Sequence, residues 1–302
     1  MALEFVQDLE PVYAEPVALS PLIARVLCEN PGPYTYTGTG TYIVGRDEVA
    51  VIDAGPLDTK HGEALLKAIG DRTVTHILVT HTHIDHSPLS KWLSEKTGAP
   101  TYGFGIHAEG RKGGLAGEKV EAGADTEFTP DHILKDGDSV QGTGWTLKAI
   151  HTPGHTSNHL CFHLVEENTV FTGDHIMGWA TTVISPPDGD MRDYLRSVEK
   201  LISIEADKLL PTHGPAIHKV KPYLRGTIIH RRMREGQILG LLEDGPMTIQ
   251  DMVDRMYKDV DPRLHGAAAR SVLGHIIALK DEERLSSDGP VSLDATYYLT
   301  RT

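Results

Sequence analysis

The sequence predicts an α/β (α+β) fold in two parts: a layered unit over residues 1–220 and a winged-helix-like helical unit over residues 221–302. Three observations point there. Short apolar runs rich in β-branched residues alternate with short helical segments through the first part. Histidines and aspartates gather where those runs end. From about Val220 the composition turns helical. A length of 302 residues also suits about two domains.

The elements follow in order. Thr41–Gly55, "TYIVGRDEVAVIDAG", reads as a hairpin of two apolar strands around Arg46-Asp47-Glu48, the second ending at Asp53. "TKHGEALLKAIG" is a short helix stopped by Gly70. Thr75–Thr80, "THILVT", is a buried strand. Ser87–Thr97 predicts a helix with Ser87 as its cap and Pro88 at its first position. "APTYG" is a further strand. Gly103–Asp125 is glycine-rich and mixed in charge, which suits a long surface loop bordering a site.

"WTLKAIHTPGH" and "HLCFHLVEENTVFTGDH" predict more strands, and "DKLLPTHG" a short strand running into a turn. Between them Met191–Ile204 is an amphipathic helix with Tyr194, Leu195, Val198, Leu201 and Ile202 on one face. The second part reads as helices at Tyr223–Leu242, Thr248–Tyr257 with Thr248 as cap, and Pro262–Leu285, then a turn and a final strand. Three helices and a β-hairpin make the winged-helix-like unit.

Bulk properties narrow the function. The two cysteines, Cys28 and Cys161, lie far apart, which argues against a disulfide framework or thiolate metal site and suits a reducing, cytoplasmic setting. The start of the chain shows no export signal, and no apolar run is long enough to span a bilayer. A net charge of −13 argues against a generic polyanion binder. Residues 221–302 carry twelve basic and twelve acidic side chains, so the first part holds the whole excess.

The chemistry concentrates in "VTHTHIDHSP", where His81, His83, Asp85 and His86 directly follow the Thr75–Thr80 strand. Neutral imidazole and carboxylate are ligands for zinc and related divalent ions. Residues two apart in an extended turn can converge on one ion, and the Asp85-His86 pair just beyond can face a second. Without a cation, so many clustered polar groups would lack partners. His155 in "HTPGHT", Asp174 in "FTGDH" and His213 in "LLPTHG" also stand where strands give way to loops.

His81-x-His83-x-Asp85-His86, His155, Asp174 and His213, with Asp53 in "VIDAG", together resemble the metallo-β-lactamase fold superfamily over residues 20–220. The resemblance implies a four-layer αβ/βα sandwich with two metal ions at one edge of its sheets. One ion would take His81, His83 and His155. The other would take Asp85, His86 and His213. Asp174 would bridge them, and Asp53 would orient ligands by hydrogen bonds rather than bind. Nitrogen and oxygen ligands suit zinc first, with iron and manganese also compatible. "TPGHTSNHL", "GDHIMGWATTV", "MRDYLRSVEKL", "PTHGPAIH" and "HRRMREGQIL", with the winged-helix-like tail, resemble more closely the β-lactamase-like protein 2 family, whose animal members are endoribonucleases of single-stranded RNA.

That likeness implies a dinuclear hydrolase in which a metal-bridging hydroxide attacks an electrophile. Asp85 and Asp174 would act at the reacting centre, with Asp85 as a proton acceptor, and His175 and His159 are candidate leaving-group acids. The family favours RNA phosphodiesters. A small acyl substrate, thioester or lactone as in glyoxalase II-like enzymes, is the alternative, and a non-catalytic nucleic-acid scaffold a third. His83 argues against the flavodiiron branch, and the missing export signal against antibiotic hydrolysis. In the tail, the third helix carries Arg263, Arg270 and Lys280 beside Asp281, Glu282 and Glu283, and "HRRMRE" is the densest basic cluster. These could contact phosphates; equally, the tail could pack on the first unit, wall a cleft or form a homodimer.

Overall fold

The computed structural model describes residues 3–6, 9–111 and 123–300. Two sheets stack face to face. The first runs β1 (Pro16–Ala18), β2 (Ile23–Leu27), β3 (Gly40–Gly45), β4 (Glu48–Ile52), β5 (Thr73–Leu78), β6 (Thr101–Gly103) and β7 (His132–Ile133), side by side in chain order. It is antiparallel up to β4 and parallel beyond. The second holds β8 (Ser139–Gly142), β9 (Trp145–His151), β10 (Leu160–Leu164), β11 (Thr169–Gly173) and β12 (Lys208–Pro211), again in chain order, with β11 and β12 parallel.

Side-chain alternation explains the stacking. Along β4, Ala50 and Ile52 face the other sheet, while Val49 and Val51 face α1 (Thr59–Ile69) and α2 (Leu89–Thr97). Along β10, Leu160, Phe162 and Leu164 face the first sheet, while Cys161 joins the outer core under α3 (Met191–Ile204) and α4 (Val220–Glu243). Strands apolar on both faces need cover on both sides, and the result is a four-layer αβ/βα sandwich. Both cysteines are buried and free.

The second unit comprises the far half of α4, α5 (Ile249–Met256), α6 (His265–Asp281) and a sheet of β13 (Met247–Thr248), β14 (Leu285–Ser287) and β15 (Thr296–Leu299). Thr248 caps α5 as expected, in a reciprocal pair with Asp251. α4 serves two cores: Val220 and Leu224 pack beneath the second sheet, whereas Ile238 and Leu242 pack with Val272, Ile276 and Tyr297.

Some expectations are corrected. Ser87 does not cap α2; the helix starts after Pro88 with no side-chain cap. Ser87 donates instead to Asp125 Oδ2 at 2.5 Å, because that buried carboxylate needs a donor. β1, β2, β7 and β8 were not anticipated, and all are five residues or shorter, too brief to display a period. Of the expected Gly103–Asp125 loop, residues 112–122 lie outside the described ones. Its far end pairs with the histidine-rich turn, Ile84 N–H donating to Gly123 O and Asp125 N–H to Thr82 O, each at 2.9 Å.

Candidate metal centre

The centre stands where the strands of both sheets end. β4 ends at Asp53, β5 runs into His81–His86, β9 into His155, β11 into Asp174 and β12 into His213. Two glycines make two of these turns feasible. Gly154 has φ +139°, and a Cβ there would lie 2.3 Å from the Tyr194 Cα. Gly173 has φ +50°, and a Cβ would lie 2.6 Å from His159 Nε2 and 2.8 Å from Thr80 Oγ1.

Asp53 is the hub behind the site. It adopts φ +53°, uncommon without glycine, and is fully buried. Its Oδ1 accepts from Thr80 N–H at 2.8 Å. Its Oδ2 accepts from Thr80 Oγ1 at 2.8 Å, His86 Nδ1 at 2.8 Å and Thr212 Oγ1 at 3.0 Å. One carboxylate thus ties together β4, the turn after β5 and the end of β12.

Like His86, the rings of His81, His155 and His213 are each anchored through one nitrogen and aim the other inward. His81 Nδ1–H donates to Thr80 Oγ1 at 3.0 Å, continuing to Asp53. His155 Nδ1–H donates to Val183 O at 2.7 Å, and His213 Nδ1–H to Gly38 O at 3.1 Å. The inward ends form two groups. His83 Nδ1 lies 3.0 Å from His81 Nε2 and 3.2 Å from His155 Nε2. Nearby, His213 Nε2 lies 3.2 Å from Asp85 Oδ2, and His86 Nε2 lies 3.7 Å from Asp85 Oδ1. Asp174 stands between the groups: Oδ2 is 3.8 Å from His155 Nε2, while Oδ1 is 3.3 Å from His213 Nε2 and 3.5 Å from His86 Nε2.

Electrostatics separates the two groups. Burial holds His81 neutral, well below the usual histidine range, and repulsion from the imidazoles of His86, His83 and His155 adds to it. Burial pulls His86 and His213 down as well, but carboxylates prevail. Asp85, Asp174 and Asp53 hold His86 well above its ordinary value, and Asp174 and Asp85 push His213 up to about 10. Burial raises the two acids, yet His86 and His213 outweigh it and hold both well below the carboxylate range. His86 Nε2, His213 Nε2 and Asp174 Oδ1 are buried without a hydrogen-bond partner among the described residues. Leaving such atoms unmet is costly. The donor set fits divalent metal: His81, His83 and His155 form one compact group, and Asp85, His86 and His213 another.

A cleft of about 1230 Å³ opens over the centre. His83, Asp85, His155 and Asp174 form its floor, and residues of α6 and of the turn before β15 form the opposite wall. α4 also braces the segment after Asp174. Tyr223 donates to Met177 O at 2.6 Å, and buried Arg231 donates to Thr182 O. Thr182 Oγ1 lies 2.8 Å from Asp174 O and donates there, and the next carbonyl, Val183 O, is the one that holds His155.

A family model for the metallo-beta-lactamase superfamily matches residues 35–213, more than half of the chain. The chain belongs to the metallo-β-lactamase superfamily. It is a hydrolase of that superfamily. A second model, the beta-lactamase associated winged helix domain, matches residues 248–290. The "Beta-lactamase-like protein 2 homolog" of Caenorhabditis elegans is 32% identical over 270 residues, covering 86% of this chain and 85% of its own. An "Atrochrysone carboxyl ACP thioesterase" of Cryptosporiopsis sp. is 28% identical over 297 residues, covering 91% and 83%. The solved structure of a beta-lactamase domain protein from Burkholderia ambifaria shares the fold, with TM-score 0.80 at 20% identity over 97% of this chain and 95% of that one.

Within this superfamily chain, every metal-candidate residue expected from sequence reaches the centre, and Asp53 lies directly behind it. The two candidate leaving-group acids do not reach the cleft. His159 is fully buried behind His81, its ring stacked at 5.0 Å and its Nδ1 bonded with Thr152 Oγ1 at 2.9 Å. His175 is fully buried against the Tyr194 ring, and burial pushes it down to about 3. Neither can hand a proton to a substrate. Arg231, in the cluster read as phosphate-binding or solvated, is instead an internal brace stacked on Tyr194. Thr80, Thr182, Thr212 and the Val183 carbonyl were missed, since ordinary threonines and main-chain oxygens carry no signal in sequence.

Proposed function

We propose that the protein is a dinuclear metal-dependent hydrolase of acyl thioesters or related acyl compounds. In this reading His81, His83 and His155 would hold one ion and Asp85, His86 and His213 the other, with Asp174 standing between them. Two such ions, zinc by donor type, would supply Lewis acidity and acidify a water molecule. The chain supplies the rest. Asp53 fixes the ring planes of His86 and, through Thr80, of His81. Asp85 borders the cleft and is held strongly anionic by His86 and His213, so it suits holding the attacking water better than storing its proton. Residues 1–220 would carry the chemistry and residues 221–302 would wall the substrate.

The observation that carries the acyl reading is the cleft. Apolar groups such as Met177, Val183, Leu273 and Leu293 face a floor of metal-candidate residues. A long, mostly apolar substrate with one polarisable carbonyl fits that lining. The relative named as an ACP thioesterase, which aligns along most of the chain, supports the same class. RNA finds less support. α6, the helix that would enter a nucleic acid, is largely buried, and Gly274 lies against Ile184 of the first unit, where a Cβ would come 3.4 Å from its carbonyl oxygen. Among the described residues no helix is long and apolar enough to cross a membrane.

The test is a substrate panel offered to metal-loaded protein: an acyl-CoA, an acyl-pantetheine, a lactone, a β-lactam and labelled single-stranded RNA. Thioester turnover abolished in H81A is expected. RNA cleavage lost in H81A, with thioesters untouched, would overturn the acyl reading.

A further inference from the structure

The wall opposite the metal-candidate residues has a feature that hydrolysis itself does not need. Arg263 and Arg270 both line the cleft. Arg263 is already neutralised, held by Asp261 through bonds of 2.6 to 3.1 Å. Arg270 is not. It makes a long hydrogen bond to Pro186 O, 3.5 Å, and among the described residues it forms no ion pair. Asp294 lines the same cleft without closing on it. A guanidinium has five N–H donors, so most of this one's are unspent.

The helix surface beside it is open. On α6, Gly266 and Ala267 stand four and three residues before Arg270 and share its face. Both line the cleft, and a Cβ on Gly266 would meet nothing within 4 Å. A long cation flanked by small residues leaves room for a group to lie against the helix and meet the guanidinium. The cleft, about 1230 Å³, also exceeds the roughly 300–1,000 Å³ of pockets for drug-sized ligands. It has room for an occupant that extends beyond the scissile bond.

We propose that Arg270 is an anion anchor, and that the substrate is an elongated acyl thioester bearing a phosphate or carboxylate away from the reacting carbonyl. The proposal rests on the acyl reading above. Arginine pairs bidentately with either anion. A single exposed guanidinium that pairs with no carboxylate among the described residues suits one localised anionic group; a polynucleotide, charged at every residue, calls for a row of cations. In the reaction water forms the new C–O bond and the thioester C–S bond breaks. The products are a carboxylic acid and a free thiol, and the anion stays untouched.

The experiment compares full-length, metal-loaded wild type with R270Q and R270K on three thioesters of one acyl length. Acyl-CoA carries phosphates on the carrier, an ω-carboxyacyl-pantetheine carries a carboxylate on the acyl chain, and acyl-pantetheine carries neither. Losing a hydrogen bond to a charged group costs about tenfold to a hundredfold in binding. R270Q is expected to raise KM by at least about tenfold for one of the anionic thioesters relative to acyl-pantetheine, with kcat little changed, and R270K to recover part of it. Which anionic substrate responds identifies the anion's source. An equal change on all three substrates, or a wild type with no preference for either anion, would overturn the anchor while leaving the acyl reading intact. A wild type that hydrolyses no thioester overturns the acyl reading first, and the anchor with it.

Discussion

The two ligand groups of the candidate centre are built largely from one short turn, yet they depend on different parts of the molecule. His86 and His213 are fully buried, and Asp85 joins them from the cleft floor. The two histidines are held from behind by Asp53 and Gly38 O, and Asp85 and Asp174 raise their proton affinity. Of His81, His83 and His155, burial holds the first neutral, and the other two line the cleft. His155 takes its orientation from Val183 O, in an irregular segment braced by Arg231 of α4. The first group is thus a product of the sheets, and the cleft-side group depends in part on the helix that joins the two units. Charge follows the carboxylates: Asp85 and Asp174 are tolerable in so enclosed a site only where cations answer them.

That contrast can be broken in order of expected effect. Asp174 stands between the two groups, so D174A should remove tight metal binding from both and lower kcat/KM by more than about a hundredfold, beyond the roughly tenfold to hundredfold typical of residues that only orient ligands. Metal content after dialysis, read with steady-state kinetics, checks it. Retention of both ions would contradict a bridging Asp174. D53N should act chiefly on the first group, weakening metal affinity there about tenfold to a hundredfold. Because Asp53 reaches His86 directly but His81 only through Thr80, chelator competition should resolve one strongly and one less weakened ion, and uniform weakening would erase the distinction.

R231M should do the converse and more mildly, loosening the ion of the cleft-side group by several-fold, with R231K recovering part. Thermal melts run in parallel separate this from simple unfolding: lost stability with unchanged chelator kinetics would reduce Arg231 to a packing role.

The smallest effect concerns His61, buried behind the first group. Its Nε2 lies 2.9 Å from Thr41 Oγ1, which donates to Asp53 O at 2.7 Å. Burial pushes His61 down to about 4. The unfolded chain takes up this proton near pH 6.5, about the ordinary value, whereas the folded chain resists until about pH 4. The unfolded state therefore binds more protons in that window, and stability should fall as pH drops through it. Metal-free melting curves across the window, with H61N expected to show a shallower fall, measure the contribution.

Much of the site was legible in sequence. His81, His83, Asp85 and His86 are close in the chain and follow a strand, so their convergence is local. His155, Asp174 and His213 could be grouped with them because each ends an apolar strand beside proline or glycine. The reading faltered where environment, rather than residue type, decides. His159 and His175 have the same side chain as the metal-candidate histidines and adjoin the same motifs, yet their rings point into the core. Ser87 has the right chemistry for a cap, but Asp125 competes for its hydroxyl. Arg231 reads as a surface cation and is buried between the units.

By itself the sequence determined what is periodic or local: most strands of the sandwich, most helix starts, the turn glycines, and the residue types and spacing of the metal-candidate residues. Tertiary structure alone decided which nitrogen of each ring faces inward, which of the metal-candidate residues gather around Asp85 and which around His83, and where the C-terminal unit docks. The reason is distance along the chain. Asp53 meets Thr212 across 159 residues and His213 meets Gly38 across 175, and contacts of that range exist only once both sheets have closed.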